Sequence, residues 1–154
     1  MRGYEEKLKA IIEERDIEAE HLRFDRSCHS VAEAAQTVGT EPEDFVKSIC
    51  MVDQEGRAIV AIVKGEDRVS TSRVAKALGI DRPKVASPGE ILGLTGFPLG
   101  GTPGFGFDAT FLVDPRVLEK ETVYLGGGSE KALVRMSTKE LIKANKARVV
   151  RVRK

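Results

Sequence analysis

The chain has 154 residues, enough for one domain built on a single core. Its composition, 41% hydrophobic and 32% charged, is ordinary for a soluble globular protein. A net charge of +1 provides no whole-molecule field that would mark a nucleic-acid binder.

The opening stretch "MRGYEEKLKAIIEERD" places Tyr4, Leu8, Ile11 and Ile12 at helical spacing among charges. That pattern predicts an amphipathic helix and not a secretory signal. "IEAEHLRF" alternates loosely and reads as a strand. "SVAEAAQTVG" predicts a helix in which Ser30 caps the start, Glu33 completes a capping box and Gly39 ends it. The same Ser-x-x-Glu signature opens "SPGEILGLTG" (Ser87, Glu90, with Pro88 at the first helical position) and "STKELIKAN" (Ser137, Glu140). "FVKSICMV" and "RAIVAIVK" are β-rich runs on either side of "DQEG", a hairpin signal. "RVSTSRVAKALGI" reads as a short strand entering a helix that stops at Gly79. "DATFLVD", "TVYLGG", "ALVRMS" and "ARVVRVR" supply further strands. Hairpins with interspersed helices, and no strict βαβ alternation, predict an α+β domain with a curled, mixed, mostly antiparallel sheet flanked by helices. No apolar run approaches the length of a membrane span. The cytoplasm is therefore the default location, with no membrane partner.

The chemistry is bounded first by what is missing. Cys28 and Cys50 lack metal-ligand spacing and sit beside apolar residues, as buried thiols do. His21 and His29 are the only histidines and form no metal motif, so neither a metal nor a cofactor is expected. His29 precedes a helix start, where a local cap and a general base are both open readings. There is no GxSxG elbow and no Walker sequence. The glycine pairs of "PLGGTPGFGF" (residues 98–107) do not open a helix after a strand, as a dinucleotide site requires.

What remains is one lysine and two glycine-rich loops. Lys47 lies inside a β-rich run, a position where lysine is depleted on a buried face. It either points outward or is a fixed cation at a cleft. Ser48 alternates to the other face. "GGTPG" is either a turn that needs glycine or a loop whose backbone N–H groups approach a carbonyl closely, as an oxyanion hole requires. "LGGGSE" (125–130) is either a wide hairpin turn or a second wall of the same pocket. Asp114 ends a strand before a proline, where an Asx turn and a ligand contact are equally open. Residues 139–154 carry seven Lys or Arg against one acid, a basic end suited to phosphates or to plain solvation.

Taken in order, "SVAEAA", "VKSI", "VSTSRVAKALG", "VASPGEILGLTGFPLGGTPGFG", "ATFLVD" and "GGGSEKALVRMS" resemble the YbaK family. These are prolyl-tRNA editing domains related to the insertion domain of bacterial prolyl-tRNA synthetase. The likeness runs from about residue 31 to residue 141. It implies a single-domain, trans-acting deacylase that hydrolyses the ester between a wrong amino acid and the terminal adenosine of a transfer RNA. By the same resemblance, Lys47 lies near the terminal adenosine and its phosphate, and Ser48 stands beside it. Gly101 helps position the ester carbonyl or the water, with Gly100, Thr102 and Pro103 completing that loop. Asp114 matches an acid after the apolar strand in synthetase insertion domains. Gly126, Gly127, Gly128 and Ser129 form the second loop. Some relatives carry a histidine just beyond that loop, where this chain has "SEK". The implied substrate is tRNA(Pro) mischarged with Ala or Cys, and a synthetase is a possible docking partner. The alternative is an inactive homologue that binds tRNA or a synthetase.

An activated ester needs no strong nucleophile. Backbone donors, a placed water and the neighbouring ribose hydroxyl suffice, which agrees with the missing nucleophile–base pairs.

Overall fold

A computed structural model of the chain describes residues 2–25 and 31–154, with only the backbone of residues 2, 31 and 32. Cys28, His29 and Ser30 lie outside the described residues. Along the chain the elements are α1 (Arg2–Glu14), β1 (Ala19–Arg23), α2 (Val31–Val38), β2 (Val46–Val52), β3 (Ala58–Lys64), α3 (Thr71–Leu78), β4 (Lys84–Val85), α4 (Pro88–Thr95), β5 (Thr110–Val113), β6 (Thr122–Gly126), β7 (Ala132–Ser137), α5 (Thr138–Asn145) and β8 (Arg148–Val149).

Two sheets form. The larger has the order β4-β2-β3-β5-β8 and the smaller β1-β7-β6. The smaller sheet and the β4-β2-β3 portion are antiparallel, while β5 runs parallel to β3 and β8 parallel to β5. An isolated bridge between Phe45 and Tyr124 ties the two sheets at one point. The mixed, mostly antiparallel α+β expectation holds, and the sheet does not close into a barrel. No helix among the described residues is long and apolar enough to cross a membrane.

β3 is the spine. All of its residues are buried, including Lys64, whose ammonium reaches Glu66 and Glu119. Its alternation feeds two cores. Val60 and Ile62 pack with Leu8, Phe97, Phe105, Leu125 and Leu141 on one face. Ile59, Ala61 and Val63 pack with Val74, Leu112 and Val152 on the other. Each such side chain, fully buried, contributes about 1.5–3 kcal/mol.

Of the predicted capping boxes, the two that fall wholly on described residues are at Ser87 and Ser137. Ser87 and Glu90 form a complete capping box at the start of α4. At α5, Ser137 accepts from the Glu140 N–H, but the Glu140 carboxylate turns away and accepts from the Glu18 N–H at 3.2 Å. A tertiary donor has displaced the local one.

The last strand is shorter than "ARVVRVR" suggests, because a side chain replaces the ladder. Asp114, fully buried at the end of β5, accepts from the N–H groups of Arg116, Val152 and Arg153 and from the Arg153 guanidinium at 2.8–3.0 Å. Burial by itself pushes this carboxyl up. The three backbone donors and the guanidinium more than offset that and hold it below the usual carboxylate range.

The two glycine-rich loops interlock. The turn 98–101 is closed by the Gly101 N–H donating to Pro98 O at 3.0 Å, with Gly100 at φ +89°, the left-handed third position of a type II turn. Gly128 N–H donates to Gly101 O at 2.8 Å. A Cβ on Gly101 would lie 2.5 Å from Ser129 N, and one on Gly126 would lie 2.9 Å from the Thr102 carbonyl carbon. Beyond the turn, Phe105 is fully buried, and Gly104 lets the chain pass Ile62 and Leu141 closely. That explains "GFGF" as core packing.

Two outcomes follow for stability. Asp114→Ala should destabilise the fold by about 3 kcal/mol in urea titrations, since it strands a partly buried guanidinium and three N–H groups. Because the folded carboxyl titrates below the unfolded one, its contribution is full above about pH 4 and is lost as pH falls through the folded value. The acid-induced loss should therefore be steeper in the parent than in the variant. Gly101→Ala should cost about 1–3 kcal/mol from overlap, whereas Gly93→Ala, in α4 with open space around it, should stabilise by about 0.5–1 kcal/mol.

Candidate active site

A cavity of about 210 Å³ opens along the edge of β2. β2 pairs with β3 along its length but with β4 only at Met51 and Val52. The rest of its outer edge meets Tyr124, Leu125 and Gly126 of β6 and the 99–102 loop across the cavity. Residues 45–50 all border it, so Lys47 and Ser48 share one site although they alternate along the strand. The alternation expectation separates them because it assumes a site on one face of the sheet; this site lies on an edge.

Backbone alternation adds donors there. Phe45 O accepts from Gly65 N on the β3 side, and Cys50 O accepts from Ala86 N on the β4 side. Residues of even number in this stretch therefore turn their N–H and C=O toward the outer edge. Ser48 is one of them. Its hydroxyl is buried without a hydrogen-bond partner. A buried orphan hydroxyl costs about 1–3 kcal/mol, and this one lies on the side of Gly104, where a Cβ would stand 3.6 Å from it.

Lys47 is half-buried and makes no ion pair or hydrogen bond among the described residues. Burial lowers its ammonium, the charge of Arg68 lowers it further, and Asp67 offsets part of this.

From the first glycine loop, Gly100 and Thr102 border the cavity. Their N–H groups have no protein acceptor among the described residues. The Thr102 hydroxyl donates to Pro98 O at 2.9 Å and pins the turn. Gly101 does not border the cavity, and its N–H is already committed to Pro98. Its lack of a side chain serves the approach to Gly128. The free loop donors are thus its two neighbours.

The remaining sequence-predicted residues lie elsewhere. Pro103 is buried behind the loop. Gly127 and Gly128 are packed against Ala132 and Tyr4, and the Ser129 hydroxyl donates to Glu5 at 2.7 Å. Asp114 faces the C-terminal strand, not the cavity. It is a buried structural acceptor.

Several cavity residues escaped sequence reading. Phe45 and Tyr124 stack at 5.0 Å and close one end. Ala34, Ile91, Leu125 and Leu133 make the apolar wall, and Leu99 stands exposed at its border. They come from separate elements, and no spacing in the chain links them. Cys50 also borders the cavity, but burial and the Glu90 charge push its thiol up, which suppresses the nucleophilic thiolate. Among the described residues, no cluster of His, Cys, Asp or Glu is gathered to hold a metal.

A cation and free backbone donors around a small apolar cavity suit a polarised carbonyl beside a short side chain. Comparison with known proteins agrees. The chain is 26% identical over 120 residues to the uncharacterized protein YwhH of Bacillus subtilis (strain 168), covering 77% of this chain and 76% of YwhH. It is 31% identical over 71 residues to the proline–tRNA ligase of Trichlorobacter lovleyi, covering 46% of this chain but only 12% of the ligase. The fold superposes on a proposed trans-editing enzyme for prolyl tRNA synthetase with a TM-score of 0.90 and 28% identity, over 98% of this chain and 97% of that one. The family model of the aminoacyl-tRNA editing domain matches residues 25–144. The chain belongs to the aminoacyl-tRNA editing domain family.

Proposed function

We propose that this protein is an aminoacyl-tRNA deacylase that acts in trans on tRNA(Pro) mischarged with Ala or Cys. The observation that carries the reading is Lys47, with no ion pair among the described residues, and the free N–H groups of Gly100 and Thr102 around a cavity of about 210 Å³. That volume is below the roughly 300–1,000 Å³ of sites that enclose a drug-sized ligand. It suits an aminoacyl group, with the nucleoside resting at the mouth.

In this reading the ester carbonyl lies against N–H groups of the strand edge and the loop, those of Ser48, Gly100 and Thr102. These donors stabilise the oxyanion as water adds. A single such donor is typically worth on the order of 10²–10³ in rate. Lys47 holds the terminal phosphate or the adenosine. The vicinal ribose hydroxyl of the substrate relays the proton, so the protein needs no general base. The apolar wall selects by size, and each methylene is worth about 1–3 kcal/mol.

A path for the acceptor end also has support. Lys154 N–H donates to Arg68 O at 2.8 Å, and the Arg68 charge acts on Lys47. Both Arg68 and Lys154 are exposed and lack an acidic partner among the described residues, whereas Arg153 is spent on Asp114. Lys47, Arg68 and Lys154 make a phosphate track leading away from the cavity.

Deacylation of a panel of mischarged transfer RNAs tests the reading. The parent should clear Ala- or Cys-tRNA(Pro) well above the buffer rate, and Lys47→Ala and Ser48→Ala should each lower kcat/KM by about tenfold or more. Esters that all survive at the buffer rate would refute it. Tight binding without turnover would identify an inactive tRNA- or synthetase-binding homologue instead. Arg68→Ala and Lys154→Ala should each weaken binding and reduce the slope of log Kd against log salt by about one.

A further inference from the structure

A buried carboxylate far from the cavity in sequence is coupled to it through the glycine loops. Glu5, on α1, is 1% exposed. Its Oε2 accepts from Ser129 Oγ at 2.7 Å, and its Oε1 pairs with Arg23 Nε of β1 at 3.0 Å. Burial pushes this carboxyl up, but the Ser129 hydroxyl, Arg23 and nearby His21 outweigh it and leave it below its ordinary value. A charged group held this way is rigid, because any displacement strands a charge in the interior.

The contacts run onward without a gap. Ser129 Oγ also accepts from Lys131 N at 3.1 Å, which shapes the second glycine loop. His21, also on β1, donates from Nε2 to Gly127 O at 2.7 Å. The carbonyl of Tyr4, next to Glu5, presses on Gly128, where a Cβ would come within 2.9 Å of it. Gly128 N–H then holds Gly101 O at 2.8 Å, between the two loop residues that border the cavity. Two residues beyond Glu5 on α1, Lys7 donates to Gly96 O at 3.2 Å and lies over the Phe97 ring at 4.9 Å. α1 therefore grips the first loop at its entry and, through the second loop, at its middle. This helix lies outside the stretch matched by the family model.

We propose that Glu5 is a positioning residue: through Ser129 and Gly128 its carboxylate sets the backbone of residues 100–102 against the substrate carbonyl. The role rests on the deacylase reading for its catalytic consequence, but its structural half stands without it. A displaced loop takes its N–H groups out of line with the oxyanion while leaving Lys47 and the apolar wall in place. The loss then appears in turnover more than in binding.

Glu5→Gln keeps the shape and removes the charge, and it is compared with Val74→Ala, which destabilises the opposite face of the sheet. Urea titration, deacylation kinetics and amide ¹⁵N–¹H spectra are recorded for each full-length variant. Glu5→Gln should lower kcat by about tenfold or more with KM nearly unchanged, and should shift the Gly100, Gly101 and Thr102 amides of the free protein. Val74→Ala should lose stability while kcat and those amides stay at parent values. A Glu5→Gln protein with parental amide positions and kcat, however destabilised, overturns the proposal. If the parent has no deacylase activity, the functional reading fails by itself. The amide shifts then still decide whether Glu5 sets the loop.

Discussion

The site depends on two backbones lying closer than any side chain permits. Gly101 faces Gly128 and Ser129, and Gly126 faces Thr102, with no room for a Cβ at either contact. The hydrogen bond from Gly128 N–H to Gly101 O joins the loops through their peptide groups. This is why the loops are rich in glycine. The residue type answers to protein–protein approach first, and the free N–H groups of the neighbouring residues are what that approach leaves at the cavity.

The second condition is an unfinished strand edge. β4 covers β2 only at its last two paired residues, and the smaller sheet is bridged to this edge at Phe45, just before β2. Between those points the edge is open, and open edges present backbone donors and acceptors. Here the gap is lined with apolar side chains and the Lys47 cation rather than being closed by another strand. Stability is supplied from elsewhere. β3 is buried on both faces, and Asp114 binds the C-terminal strand to the far side of the sheet. A rigid spine lets one edge stay incomplete.

Much of this is legible from local chemistry. The helix starts at Ser87 and Ser137, the stop at Gly79 and the hairpin around "DQEG" follow from capping and turn geometry within a few residues. Lys47 stands out as an odd charge in a strand, and Ser48 by its place in the family's motif order. Two assignments changed in meaning. Asp114 makes the Asx-type bond that its place before a proline allows, to the Arg116 N–H, but its other oxygen serves N–H groups 38 and 39 residues on and not a ligand. Gly101 looked like the carbonyl-facing donor, and its N–H closes its own turn.

By itself the sequence determined the element types, the α+β class, the two glycine loops and the membership of an editing family. Periodicity, caps and motif order are properties of neighbours along the chain. Only the tertiary structure decided that the cavity sits on a strand edge, that Phe45 and Tyr124 stack at its border, and that Glu5 on α1 is bonded to Ser129 of the second glycine loop. Those facts depend on which free peptide groups and buried charges meet across the two sheets. Such meetings are set by packing between elements, and no residue carries them in its own neighbourhood.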